Sequence, residues 1–438
     1  MKNLARIGKI SLIWLLAGVA LLAGGCSLGI PQIHHGSGGQ VLESKLPRTE
    51  AGNLPQAEID QLQEGNTAFA FNLYRELQSQ AGNLFFSPYS ISSALAMTYA
   101  GAAGDTAAEM KATLHFNLDE NSLHPAFNAL DQYLASLADQ DIPDDMGDPF
   151  QLEIANAIWG QKDFHFEGIF LDLLAENYGA GLRLLDYIQD PEGSRQTIND
   201  WVSNQTRDKI QDLIPQGAID SDTRLVLSNA IYFKATWLDT FEKSLTEESD
   251  FYGLEGQTER VQMMQSGSSV SYPYYRGEDF TAVELPYVGG QVSMLVLVPD
   301  QGGFQDFEGS LTAEKLSSIL QELAYTPVAL SFPKFEFESE FSLAQTLADM
   351  GMPSAFSAAA DFSGMTGDKD LFISNVFHKA YIAVDEEGTE AAAATAVVMT
   401  LTAAPLEPIE LKVDRPFIFL IRESQTGTVL FMGRVLNP

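Results

Sequence analysis

Three features of the sequence predict an α+β fold. Helix signals crowd the first half, strand-like runs crowd the second, and composition stays even from about residue 58 to the end. Phe69, Leu73 and Leu77 recur at helical spacing, with Ala70 and Tyr74 beside them. Ser87-Pro88 reads as an N-cap followed by a first-turn proline and predicts a helix through Tyr99. Thr106-Ala107-Ala108-Glu109 has capping-box form and predicts another helix. Strand-like runs follow at Leu225 to Phe233, Val292 to Val298, Val328 to Phe337 and Phe377 to Val384. Phe417 to Ile421, a turn near Gly427 and Thr428 to Met432 form a C-terminal hairpin pattern.

The chain has 438 residues, a length whose usual prior is about three domains. Beyond residue 57 there is no second linker and no repeat, so a single domain over 58–438 is the simplest division. Fifty-nine acidic against 25 basic residues give a formal charge of −34, which speaks against nucleic acid and anionic lipid surfaces as partners. A single cysteine allows no internal disulfide. Its position is informative. Lys2, Arg6 and Lys9 precede an apolar stretch from Ile10 to Ala23, and Gly24-Gly25-Cys26 follows. Residues 1–25 read as a signal peptide. The cysteine after two small residues resembles a bacterial lipoprotein processing site and predicts lipidation at Cys26. Residues 26–57 are then expected to be a flexible, lipidated tether, with His34-His35 a solvated pair inside it. An extracytoplasmic, membrane-anchored location follows as an expectation. The stretch Asp139 to Asp148 reads as an acidic loop whose spacing does not match a calcium-binding EF-hand.

Enzyme signatures are missing: no Gly-x-Ser-x-Gly, no His-Glu-x-x-His, no Cys-x-x-Cys. The unusual segment is Glu386-Glu387-Gly388-Thr389-Glu390 followed by Ala391, Ala392, Ala393, Ala394, Thr395 and Ala396. An alanine-rich helix is one reading. As a strand, Thr389, Ala391, Ala393 and Thr395 share one small-residue face and Glu390 lies on the other.

Five motifs, in order, carry a family resemblance: Asn83-Leu84-Phe85-Phe86-Ser87-Pro88-Tyr89-Ser90-Ile91; Leu227 through Trp237; Phe377-His378-Lys379-Ala380 through Ala396; Val413-Asp414-Arg415-Pro416-Phe417 through Ile421; and Phe431-Met432-Gly433-Arg434-Val435. In these the chain resembles the serpins. The resemblance implies about eight or nine helices around three β-sheets, with an exposed reactive-centre loop. It implies a monomeric inhibitor rather than an enzyme, without cofactor or metal. A protease attacks the loop, forms an acyl-enzyme, and is distorted when the loop inserts as a new strand in the central sheet. A dozen newly paired residues, at roughly 0.5–1.5 kcal/mol net each, would release on the order of ten kcal/mol.

The resemblance also implies site residues. Glu386, Gly388, Thr389, Glu390 and Ala391 to Ala394 match the hinge, with Gly388 expected to permit the bend where insertion begins. Small neutral Thr389 suits an inserting strand, since a charge would be costly to bury there. Ser87, Ser90, Asn229 and His378 match the polar shutter beneath the opening sheet. Lys334, Glu386 and Trp237 match the breach at its top. The reactive bond is expected at Thr402–Ala403, with Leu401 and Met399 as alternatives. These would suit elastase-, chymotrypsin-, subtilisin- or papain-like proteases. No Lys or Arg lies between Glu386 and Lys412, which disfavours a trypsin-like target, and none lies between Lys111 and Lys162, so heparin is not expected to bind. A non-inhibitory carrier, chaperone or surface binding protein is the alternative.

Overall fold

The computed structural model describes residues 32–36, 38–52, 55–138, 142, 150–267, 270–390 and 407–438. These begin with a hairpin, β1 (Gln32–Gly36) and β2 (Gly39–Glu43). Helix α1 (Gln56–Leu77) buries Phe69, Leu73 and Leu77 as their spacing predicts. Strand β3 (Leu84–Phe86) leads into α2 (Pro88–Tyr99), whose N-cap Ser87 accepts from the Ser90 amide, and then α3 (Gly104–Thr113) and α4 (Glu120–Ala138). Next come β4 (Gln151–Gln161), α5 (Gly168–Tyr178), β5 (Leu182–Leu185), α6 (Pro191–Gln205) and β6 (Leu225–Thr236). The strands β7 (Glu247–Tyr252), β8 (Thr258–Gln265), β9 (Ser271–Arg276), β10 (Phe280–Pro286) and β11 (Val292–Pro299) follow. Helices α7 (Phe304–Ser310) and α8 (Ala313–Glu322) precede β12 (Ala324–Pro333) and β13 (Phe335–Ser342). Helices α9 (Ala344–Met350) and α10 (Ser363–Thr366) lead to β14 (Ile373–Val384), the two-residue β15 (Gly388–Thr389), β16 (Ile409–Lys412), β17 (Phe417–Glu423) and β18 (Val429–Val435).

The strands form two sheets. One has eight strands in the order β1-β2-β5-β4-β6-β15-β14-β13. The other has ten, in the order β3-β18-β17-β11-β10-β9-β12-β8-β7, with β16 beside β12. The α+β expectation holds, with ten α-helices among the described residues, α10 being a single four-residue turn. Two of the expected three sheets are joined because β12 is long enough to pair with β9 at one end and with β8 and β16 at the other. One apolar core lies between the two sheets and helices α1, α2 and α4. A second, around Trp159, Ile198, Trp201, Val202, Val226 and Ala230, fills the space between α6 and the other face of the eight-stranded sheet.

Three local expectations are corrected. Residues 26–57 are not all tether: β2 pairs antiparallel with β5, and β1 with β2, so these two strands extend the sheet edge. Backbone pairing is available to any sequence beside an unpaired strand, and Gly38 and Gly39, both at positive φ, supply the turn. The capping box does not cap. Helix α3 starts at Gly104, and Thr106 Oγ1 instead accepts from the Asp361 amide while Glu109 binds Ser354, so tertiary contacts take both side chains. The run Val328 to Phe337 is two strands, broken at Lys334. The acidic loop lies, apart from Ile142, outside the described residues.

Candidate functional site

The site is the seam between β6 and β14 in the eight-stranded sheet. Both strands are central and almost wholly buried. They run parallel and pair directly from Ile373↔Leu225 to Tyr381↔Tyr232. Beyond Tyr381 they part, and β15 occupies the gap: Gly388 and Thr389 pair with Thr236 and Ala235 of β6, and Thr389 pairs with Val384 of β14. The sheet is thus open at one end, with two residues of a new strand already seated.

Each side chain at that end has a definite job. Thr389 is fully buried, and its hydroxyl meets the Tyr287 hydroxyl at 2.7 Å. Glu390 projects to the opposite face and forms an ion pair with Lys209, in the segment after α6. A Cβ on Gly388 would lie 2.0 Å from the Ala235 carbonyl oxygen, so glycine is required there by close approach. Gly388 closes the turn that begins at Asp385 without a positive φ; the positive φ of 53° falls on Glu390. Before β15 the chain turns at Asp385, whose Oδ1 accepts from the amides of Glu387 and Gly388. Trp237 stacks on Tyr287 with ring centroids 4.5 Å apart, and its Nε1 donates to the Asp385 carbonyl. Lys334 Nζ donates to Glu386 Oε2 at 2.7 Å and Thr246 Oγ1 donates to Oε1 at 2.7 Å. Burial works to raise the Glu386 pKa, but these hydrogen bonds outweigh it and hold the carboxyl below its ordinary value. Lys243 pairs with Glu387 nearby. Thr246 and Lys243 were missed in the sequence, since nothing local marks a threonine and a lysine that meet the hinge about 140 residues later.

Below the opening, a neutral hydrogen-bond network spans the seam. His378 and Asn229 are register partners on β14 and β6. His378 Nε2 accepts from the Ser87 amide at 3.2 Å, so Nδ1 carries the proton and donates to Asn229 Oδ1. Asn229 Nδ2 donates to Ser90 Oγ at 2.6 Å and to Asn156 Oδ1. Ser90 Oγ donates to Asn156 Oδ1, and Ser87 Oγ to the Leu430 carbonyl. Complete burial pushes the His378 pKa down to about 3, keeping the imidazole neutral. Asn156, the β4 member, was also missed; an asparagine within an apolar strand run was its only signal.

The structure therefore brings Ser87, Ser90, Asn229 and His378 into one cluster. Lys334, Glu386 and Trp237 surround the start of β15. Ala391 to Ala394, Met399, Leu401, Thr402 and Ala403 lie outside the described residues, as does Cys26. Among the described residues, no group of His, Cys, Asp and Glu is arranged to hold a metal ion.

Comparison with known proteins shows a match over residues 64–438 to the family model described as serpin (serine protease inhibitor). The chain belongs to the serpin family. It is 40% identical to an uncharacterized serpin-like protein of Thermococcus kodakarensis, over 90% of this chain and 91% of that one. It is 40% identical to the leukocyte elastase inhibitor of Bos taurus, over 87% of this chain and all of that one. Among solved structures it resembles Serpin48 of the insect Tenebrio molitor, with TM-score 0.76 and 32% identity, covering 88% of this serpin and all of that chain. The fold is that of the family.

Proposed function

We propose that this serpin is a suicide inhibitor of a serine or papain-like cysteine endopeptidase. The observation that carries the reading is β15. A strand has begun to enter between β6 and β14, led by a small, neutral, fully buried Thr389. The next inward positions by sequence, Ala391, Ala393 and Thr395, are equally small, so continuing the strand would bury neither a charge nor a bulky group. Cleavage at Thr402–Ala403, or at the nearby Leu401 or Met399, would free enough chain to extend β15 down the seam. The attached protease would be carried along and lose its oxyanion geometry before deacylation. The native state is then held kinetically, with the seam as the barrier.

The test is incubation with elastase, chymotrypsin, subtilisin and papain, followed by denaturing gels and thermal melts. A denaturant-resistant complex, with a large rise in melting temperature of the cleaved serpin, is expected. Rapid cleavage by all four with neither result would reject the reading.

Lipid attachment at Cys26 is part of the proposal. Six residues from Cys26 to Gln32 can reach at most about 20 Å, which would hold the β1 edge of the sheet close to a membrane surface. Cys26→Ser should release the protein from the membrane fraction; unchanged fractionation would discount the anchor.

A further inference from the structure

We infer that the N-terminal hairpin is a clasp on α6 that slows opening of the β6–β14 seam. Helix α6 lies over the sheet face that a new strand must pass beneath. Its continuation crosses the seam, where Lys379 of β14 donates to the Gln211 carbonyl at 3.1 Å and Lys209 pairs with Glu390. Opening the sheet therefore requires α6 and the residues after it to shift.

The hairpin holds α6 at its other flank. Trp201 of α6 packs edge-on against Trp159 of β4, with ring centroids 5.3 Å apart. The Arg183 guanidinium of β5 lies 4.5 Å from the Trp201 ring centre and 5.3 Å from that of Trp159. Arg183 Nη1 also donates to the Gly38 carbonyl, at 3.5 Å. The turn backbone then closes the box. A Cβ on Gly38 would lie 2.6 Å from Trp201 Cδ1 and 2.9 Å from Arg183 Nη1. One on Gly39 would lie 3.3 Å from the Leu185 side chain and 3.8 Å from that of Thr197 on α6. Only glycine fits at Gly38, both for its φ of 97° and for this contact. Trp201 is thus enclosed by a tryptophan, a cation and a backbone turn, and the turn is fixed by the pairing of β2 with β5.

The hairpin strands β1 and β2 therefore do more than cover a sheet edge. They couple the chain's N-terminal segment to the helix that gates insertion. Detaching the hairpin, by proteolysis ahead of β2 or by tension on the residues before it, would free α6 and speed insertion.

The clasp is a structural statement; only its effect on insertion rests on the proposed inhibitory function. The test uses the full mature chain carrying Gly38→Val, with Arg183→Gln as a second variant that leaves the glycines in place. Hydrogen exchange is followed in β2, in α6 and in α8, which lies away from both. A synthetic peptide of residues 389–400 is offered to the sheet, and its incorporation is timed. The expected result is exchange in α6 rising about tenfold, equivalent to ~1.4 kcal/mol of local stability, with faster peptide incorporation and α8 unchanged. Unchanged α6 exchange in both variants, whether or not β2 loses protection, overturns the clasp. Faster α6 exchange, with no peptide taken up by any form of the protein, keeps the clasp and removes the insertion reading instead.

Discussion

The two ends of the β6–β14 seam are held by different chemistry. At the open end, Glu386 and Glu387 meet Lys334 and Lys243, and the lysines reach solvent. Farther along, the buried His378, Asn229, Ser87 and Ser90 form a neutral network with the half-buried Asn156. Ion pairs whose cation reaches solvent are more easily exchanged than ones sealed on both sides. Buried neutral networks resist partial opening, because each unpaired member bears its full desolvation cost. The difference places the readily opened part of the seam where β15 starts and the resistant part where a longer strand must continue.

The largest effect is expected from Thr389→Arg. The position is fully buried between two strands, so the new charge should stop insertion at its first residue and leave Tyr287 without its partner. Protease complexes should fall by about 100-fold or more, a cost of at least ~2.7 kcal/mol in the partition. Stopped-flow partition ratios and gels would show cleavage without trapping; normal complex yield would refute the hinge assignment. Asn229→Ala should come next. It strips partners from His378, Ser90 and Asn156 at once and should lower stability by about 2–4 kcal/mol in urea titrations. A loss below 0.5 kcal/mol would show that the network does not hold the seam.

Acid should separate the two ends. A histidine whose folded pKa is depressed contributes fully above its ordinary value of 6.5 and loses that contribution as pH falls toward about 3. Below pH 6.5 the unfolded chain takes up the proton first, so stability should fall by up to ~1.4 kcal/mol per pH unit for this group. His124, pushed by burial to about 4, adds to the same slope. Glu386 acts in a lower window: its contribution is present above the ordinary 4.5 and is lost only as pH falls through the depressed folded value. Urea titrations across pH 7 to 3 should therefore show loss starting near 6.5, and His378→Gln should flatten the upper part of that profile. An unchanged profile in this variant would contradict the assignment.

The smallest effects belong to the two lysines at the open end. Lys334→Ala leaves a buried carboxylate with only Thr246 and should cost about 1–2 kcal/mol, with faster spontaneous insertion or polymerisation on native gels. Lys243→Ala, on a well-exposed side chain, should change stability by less than about 0.5 kcal/mol. Equal effects of the two would erase the distinction between them.

Much of this was legible in the chain. The N-cap at Ser87, the strand from Leu225 and the hairpin around Gly427 depend on neighbours in sequence, and local patterning predicts them. The motifs also named His378, Asn229, Ser87 and Ser90 separately. Asn156, Thr246 and Lys243 were not legible, because their partners lie 66 to 144 residues away and nothing in their own surroundings requires a polar group.

Sequence alone determined the α+β class, several of its helices and strands, the run of small residues after Glu390 and the acidic balance of the chain. Those follow from residue type and spacing. Only the tertiary structure decided that β15 is already seated, that Gly388 serves close approach while Glu390 takes the positive φ, and that β1 and β2 join the sheet edge instead of serving as tether. Each of these depends on which backbone happens to lie alongside, and a strand edge accepts any partner brought within hydrogen-bonding distance.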